Sequence, residues 1–206
     1  MRLGPRFDEA LGYAIDAHRD QARKGTGVPY ASHLLGVASI VLEEAGDEDE
    51  AIAALLHDVV EDQGGKPRLD EVRHRFGERI AGIVEACSDS IVEDEDQKPP
   101  WKTRKEAYIL RVRTEHDGSA LLVSMADKLY NSRAILRDLR FARDRKEVWD
   151  RFGREHDCIL WYYRSLVDAF RSRTDDRLLE ELDATVTELE ELAGGPSRGC
   201  PDEASG

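Results

Sequence analysis

Apolar residues recur along this chain three and four positions apart, and no segment alternates as a half-buried strand would. Between residues 6 and 22, Leu11, Ala14, Ile15 and His18 fall on one side of a predicted helix. A turn at Lys24-Gly25-Thr26-Gly27 follows. Pro29 then opens a second helix, since a residue without an N–H is tolerated in a first turn. Leu34, Leu35, Ala38, Val41 and Leu42 form its stripe, and Gly46 closes it. Segment 51–60 is apolar almost all round, which predicts a buried central helix ending near Gly64-Gly65. Short helices are predicted over 69–76 and 78–87, and longer ones over 102–115, 120–139, 146–172 and 177–192. Residues 88–101 carry Asp89, Glu93, Asp94, Glu95, Asp96 and Pro99-Pro100, and read as a long loop, mobile or functional. The pattern predicts an all-α helical bundle over 1–175, a helix over 176–192 packing on it, and a disordered tail over 193–206.

Composition narrows the function classes. Hydrophobic residues make up 40% of the 206 and charged residues 35%, enough for a packed core. The net charge of −13 argues against a long nucleic acid as partner, because neutralising phosphates needs clustered Lys and Arg. A small anionic ligand responds to the local field of its cleft and is still allowed. Cys87, Cys158 and Cys200 show no framework spacing, so reduced thiols and a cytoplasmic setting are expected. No apolar run approaches the ~20 residues of a membrane span, and the N-terminus lacks a signal-peptide pattern.

The chemistry starts with His57-Asp58 inside the most apolar segment, where charge is costly unless paired or bound to metal. Glu61 and Asp62 follow one helical turn later, on roughly the same face. One imidazole and three carboxylates crowded together repel one another, and a divalent cation offsets that repulsion. His33 and Asp127, each in an apolar helix, complete a set of two imidazoles and two carboxylates. Such a set suits one Mn²⁺, with Fe²⁺ or Zn²⁺ also fitting, and leaves positions open for water.

The stretches HRDQARKGTGVPYASH, AALLHDVVED and MADKLYN together resemble the hydrolase domain of the RelA/SpoT alarmone enzymes. The likeness is greatest to their stand-alone relatives, the small alarmone hydrolases of the HD-domain type, and covers roughly residues 7–170. It implies an α-helical bundle around a single Mn²⁺, and hydrolysis of the 3′-pyrophosphate of (p)ppGpp to GDP or GTP and pyrophosphate. Carried onto this chain, the metal ligands are His33, His57, Asp58 and Asp127, and the catalytic acid pair is Glu61 and Asp62. One of that pair orients or deprotonates the attacking water. Arg23 and Lys24 match a pair that borders the purine, Lys128 and Asn131 match positions beside the nucleotide, and Tyr30 lines the nucleoside pocket.

Residues 98–113 hold six Lys or Arg against one acid, Glu106. Most of these read as a solvated helix face, and Arg104 and Lys105 are taken as phosphate contacts. His18 is expected to pack near the site, and His74, His116 and His156 to lie on the surface. The chain departs from the family pattern at Leu34, where Pro is usual, and at Gln63, where Thr is usual. It departs again at Cys87-Ser88 and in the acidic loop. The departures leave the metal ligands intact and open the identity of the nucleotide. Readings as a (p)ppApp hydrolase, a phosphatase of NADPH or another nucleotide, and a nucleotide sensor without turnover stand beside the leading one.

Overall fold

A computed structural model describes residues 2–92 and 98–201. Glu93, Asp94, Glu95 and Asp96 of the acidic loop, and the end of the tail from Asp202, lie outside the described residues. The described residues form eleven α-helices and no strand, apart from one isolated antiparallel bridge between Ala22 and Pro29. No helix among them is long and apolar enough to cross a membrane.

The chain divides into two compact units, Met1–Pro99 with Glu115–Asp127, and Pro100–Thr114 with Lys128–Gly206.

In the first unit, α1 (Pro5–Ala17) begins on Pro5 and Asp8, residues suited to a first turn. It ends five residues earlier than the expected 22. The backbone groups that would extend it are used in a hairpin instead: Tyr30 N–H bonds Gln21 O at 2.9 Å and Arg23 N–H bonds Val28 O at 2.8 Å. Gly25, at φ 68°, supplies the left-handed residue this tight loop needs. α2 (Ala31–Glu43) follows. α3 (Glu48–Leu56) starts at a capping box in which Asp47 and Glu50 each accept the other's backbone N–H. Ala51 through Leu56 are fully buried, and burying Ile52, Leu55 or Leu56 contributes roughly 1.5–3 kcal/mol each. α1, α2 and α6 (Glu78–Cys87) pack around α3.

The expected continuous helix over 51–60 is broken. α3 stops at Leu56, His57 and Asp58 form a turn, and α4 (Val59–Gln63) resumes beyond them. α5 (Gly65–Phe76) begins four residues before the expected 69, because Pro67 sits in its first turn, where no N–H is required.

In the second unit, α10 (His156–Arg171) packs against α7 (Trp101–Thr114) and α11 (Arg177–Ala193). The expected helix over 146–172 is two helices, α9 (Arg145–Asp150) and α10, separated by a turn around Gly153 at φ 62°. α8 (Gly118–Phe141) carries Asp127 in the first unit and continues into the second from Lys128. The tail expected to be disordered from 193 is held as far as Pro201. Ser197 Oγ donates to Asp157 O at 2.7 Å, Arg198 N–H to Asp157 Oδ1 at 3.1 Å, and Cys200 is disulfide-bonded to Cys158. This corrects the expectation of three reduced thiols. The two cysteines are 42 residues apart in sequence, so spacing alone gave no sign of the pair, and Cys87 lies outside the disulfide.

Candidate metal centre

Three separate elements of the first unit deliver the ligand atoms. His33 lies in the first turn of α2, and the hairpin before it fixes where that helix begins. His57 and Asp58 occupy the α3–α4 turn. Adjacent residues on an unbroken helix point about 100° apart. Leaving the helix at Leu56 lets both side chains address one point, His57 at φ −57° and Asp58 at φ −95°. Asp127 comes from α8.

Their atoms converge closely. His33 Nε2 is 3.1 Å from His57 Nε2 and 3.1 Å from Asp58 Oδ2, and His57 Nε2 is 3.0 Å from Asp58 Oδ2. Asp127 Oδ1 lies 3.3 Å from His33 Nε2 and 3.6 Å from His57 Nε2. An ion with bonds of about 2.1 Å sets neighbouring donors roughly 3.0 Å apart in an octahedron and roughly 3.4 Å apart in a tetrahedron. The observed separations match that spacing. His33 and His57 are both buried, at 1% and 2% exposure, and two imidazole nitrogens do not stay in buried contact without a shared cation or proton.

The surroundings prepare these atoms for a metal. His57 Nδ1 donates to Ala54 O at 2.8 Å, so Nε2 is the ring nitrogen that faces the cluster. The Tyr30 hydroxyl donates to Asp58 Oδ2 at 2.6 Å. Burial alone would lower the His57 imidazole, yet the Asp58 and Asp127 carboxylates outweigh it and hold it well above its ordinary value. Asp58 is held correspondingly low: burial opposes ionisation, and the neighbouring imidazoles overcome it. The donor set and its spacing therefore fit the divalent metal expected for this site, with His33, His57 and Asp58 as its tightest group.

Glu61 and Asp62 lie on α4, one turn beyond the ligands. Glu61 Oε2 accepts the backbone N–H of Asp89 at 3.1 Å, so the start of the acidic loop is tied to the expected catalytic pair. Asp62 sits at the exposed rim, where desolvation of its carboxyl and the charge of Asp58 push it above the usual range. Burial and then Asp58 likewise push the Tyr30 phenol upward, so it stays protonated as a donor.

The other expected contacts are placed as follows. The Arg23 guanidinium lies 5.6 Å from the Tyr30 ring centre, and Lys24 is exposed beside it on the hairpin. Lys128 and Asn131 continue α8 beyond Asp127, and the Lys128 ammonium is 4.9 Å from the Tyr108 ring. Arg104 and Lys105 are on α7, where the Lys105 ammonium is 4.9 Å from the Tyr162 ring. His74, His116 and His156 are exposed, as expected.

Sequence reasoning missed Gln21, whose amide bonds the Asp62 carboxylate and is itself bonded by Gln63 and His18. The signal available was Gln63 directly after the acid pair, a long amide in place of a short hydroxyl.

The chain is similar to several known proteins. The family model described as HD domain matches residues 10–158. Guanosine-3′,5′-bis(diphosphate) 3′-pyrophosphohydrolase MESH1 of Mus musculus is 41% identical over 132 residues, covering 63% of this chain and 69% of that protein. The longer enzyme of the same activity name from Haemophilus influenzae is 34% identical over 158 residues, which make up 22% of its length. A solved structure described as a metazoan ortholog of SpoT that hydrolyzes ppGpp superposes with a TM-score of 0.68 at 30% identity, covering 90% of this chain and 96% of that one. By the match to the family model and by its likeness to these relatives, the chain belongs to the HD-domain family, in the group related to the small alarmone hydrolases.

Proposed function

We propose that this protein is a metal-dependent 3′-pyrophosphohydrolase of (p)ppGpp-like nucleotides. The observation that carries the reading is the convergence of His33, His57, Asp58 and Asp127 within 3.0–3.6 Å, with Glu61 and Asp62 one turn away. The relatives' activity names point the same way. Mn²⁺ is the ion assigned, with Fe²⁺ and Zn²⁺ suited to the same donors. When bound, it would polarise a water and the phosphoryl oxygens.

The chain's own residues supply the rest. Glu61 and Asp62 form the acid–base pair. One takes a proton from the water whose oxygen attacks the phosphorus on the 3′ oxygen, and a proton returns to that oxygen as the bond breaks. The products are GDP or GTP and pyrophosphate. Arg23 offers a planar cation to a base or phosphate beside Tyr30. Lys24, Lys128, Asn131, Arg104 and Lys105 are assigned to the remaining nucleotide contacts. A reaction of this kind takes a small anionic substrate.

The test is product analysis after purified protein and Mn²⁺ are mixed separately with ppGpp, ppApp and NADPH. Pyrophosphate from ppGpp is the expected result, and pyrophosphate from ppApp alone would move the assignment to the adenine analogue. Orthophosphate from NADPH alone, or metal bound with no turnover of any substrate, would overturn the reading in favour of a phosphatase or a sensor.

A further inference from the structure

Asp62 is backed by neutral polar side chains that the metal chemistry does not use. Gln21 Nε2 donates to Asp62 Oδ2 at 2.8 Å. On the other side of the same amide, Gln21 Oε1 accepts from Gln63 Nε2 at 2.6 Å and faces His18 Nδ1 at 2.7 Å. A carboxylate only accepts, so the NH₂ group must face Asp62 and Oε1 must face the other two. His18 therefore carries its proton on Nδ1. Its ring has little room to swing, being 2% exposed and stacked on Tyr30 at 4.8 Å and 13°. Two donors on one carbonyl polarise the amide and strengthen the bond its NH₂ makes to the carboxylate. The elements involved are different: His18 ends α1, Gln21 lies in the hairpin, and Gln63 ends α4 directly after Asp62.

These residues also face open space. Gln21, Asp62 and Gln63 line a cavity of about 460 Å³ together with Asp16, Arg19 and Asp20. Arg19, on the same wall, is paired with Asp16, and the donor that Gln21 offers to Asp62 is a neutral amide. An isolated carboxylate at a cavity wall rotates freely. One held by a fixed amide presents a single edge.

We propose that Gln21 is a positioning residue for the hydrolytic step, locked by His18 and Gln63 so that its amide holds the Asp62 carboxylate in one orientation. This rests on the reading of Asp62 as half of the proton-handling pair. Gln63, where the resembled family carries Thr, is part of the lock in this chain.

The experiment measures kcat, KM and bound metal with ppGpp and Mn²⁺ for the wild type, Gln21→Met, Gln63→Met, Asp62→Asn and the double variant Gln21→Met/Asp62→Asn. Gln21→Met keeps length and removes both polar ends. It is expected to lower kcat about tenfold or more, with KM within about twofold and metal content unchanged. In the Asp62→Asn background the same change should cost less than about twofold, since no proton-handling group is left to position. Gln63→Met removes one of the two donors and should give an intermediate loss, which provides a second reading if Gln21→Met folds poorly.

A wild-type rate in both single variants, an equal loss with and without Asp62, or a change in KM alone would each overturn the proposal. If the wild type releases pyrophosphate from neither ppGpp nor ppApp, the functional reading falls and this role with it. An active wild type with an unaffected Gln21→Met overturns the positioning role alone.

Discussion

The Tyr30 hydroxyl donates a 2.6 Å hydrogen bond to Asp58 Oδ2, the same oxygen that lies 3.0 Å from His57 Nε2 and 3.1 Å from His33 Nε2. One carboxylate oxygen thus accepts the phenolic hydrogen bond on one side and faces the metal position on the other. The sequence pointed to Tyr30 as a wall of the nucleoside pocket, and the structure gives its hydroxyl a second duty, orienting a ligand. Outer partners of this kind typically tune metal affinity by 10–100-fold. Tyr30→Phe keeps the ring stacked on His18 and removes only the hydroxyl. Metal affinity, measured by competition with a chelator, is expected to fall roughly tenfold. Unchanged affinity would show that Asp58 does not need the bond.

Asp127 is the ligand farthest in sequence from the others, and its Oδ1 stands 3.3 Å from His33 Nε2. Asp127→Ala leaves two buried imidazoles with one carboxylate. Stoichiometric metal is expected to be lost by elemental analysis, together with phosphohydrolase activity. Full activity in metal-free buffer would remove the metal from the reaction altogether.

The candidate metal cluster stood out in the sequence because charge inside apolar segments is anomalous, and His57, Asp58 and Asp127 each break an apolar run. The way they meet was not legible. Periodicity predicts one helix through His57, whereas the chain breaks it after Leu56. The break depends on tertiary contacts that a local pattern does not carry. The same limit hid the hairpin over 21–30, where Gln21 O pairs with Tyr30 N–H, and with it the Gln21–Asp62 contact. The pair Cys158 and Cys200 was hidden because one cysteine lies in a segment whose composition reads as disordered.

Glu61, proposed as half of the acid–base pair, accepts the Asp89 N–H at 3.1 Å, which tethers its carboxylate. Glu61→Gln keeps an acceptor for that tether and removes the base. The expected outcome is intact metal binding with kcat reduced by about 10²–10⁴, the usual worth of a general acid or base. A rate equal to wild type would remove Glu61 from the chemistry. Loss of metal would place it among the ligands.

Arg164 joins α10 to α11 by bonding Asp183 at 2.5 Å, Glu190 at 2.6 Å and Thr187 at 3.1 Å. Glu190 is 8% exposed, so Arg164→Leu would leave a nearly buried carboxylate without its cation. A loss of about 1–3 kcal/mol in denaturant unfolding is expected. Burial would raise Asp183, but Arg164 and Arg171 outweigh it and hold it below the usual carboxylate value. A depressed carboxylate adds stability above its unfolded value, near pH 4, and loses it as pH falls through the folded value. The penalty of Arg164→Leu should therefore be full at neutral pH and shrink below about pH 4. A penalty independent of pH would show that the loss comes from packing of the arginine stem.

The disulfide between Cys158 and Cys200 closes 42 residues of chain around α10 and α11. A loop of that length gives about 2–4 kcal/mol by restricting the unfolded chain. Reduction of the wild type should lower its melting temperature, and Cys200→Ser should match the reduced wild type and respond to reductant no further. The Ser197 and Arg198 bonds to Asp157 are independent of the disulfide. Ending the chain at residue 193 should therefore destabilise the protein beyond Cys200→Ser alone. A chain ended at 193 with the melting temperature of the oxidised wild type would show that residues 194–201 rest on α10 without supporting it.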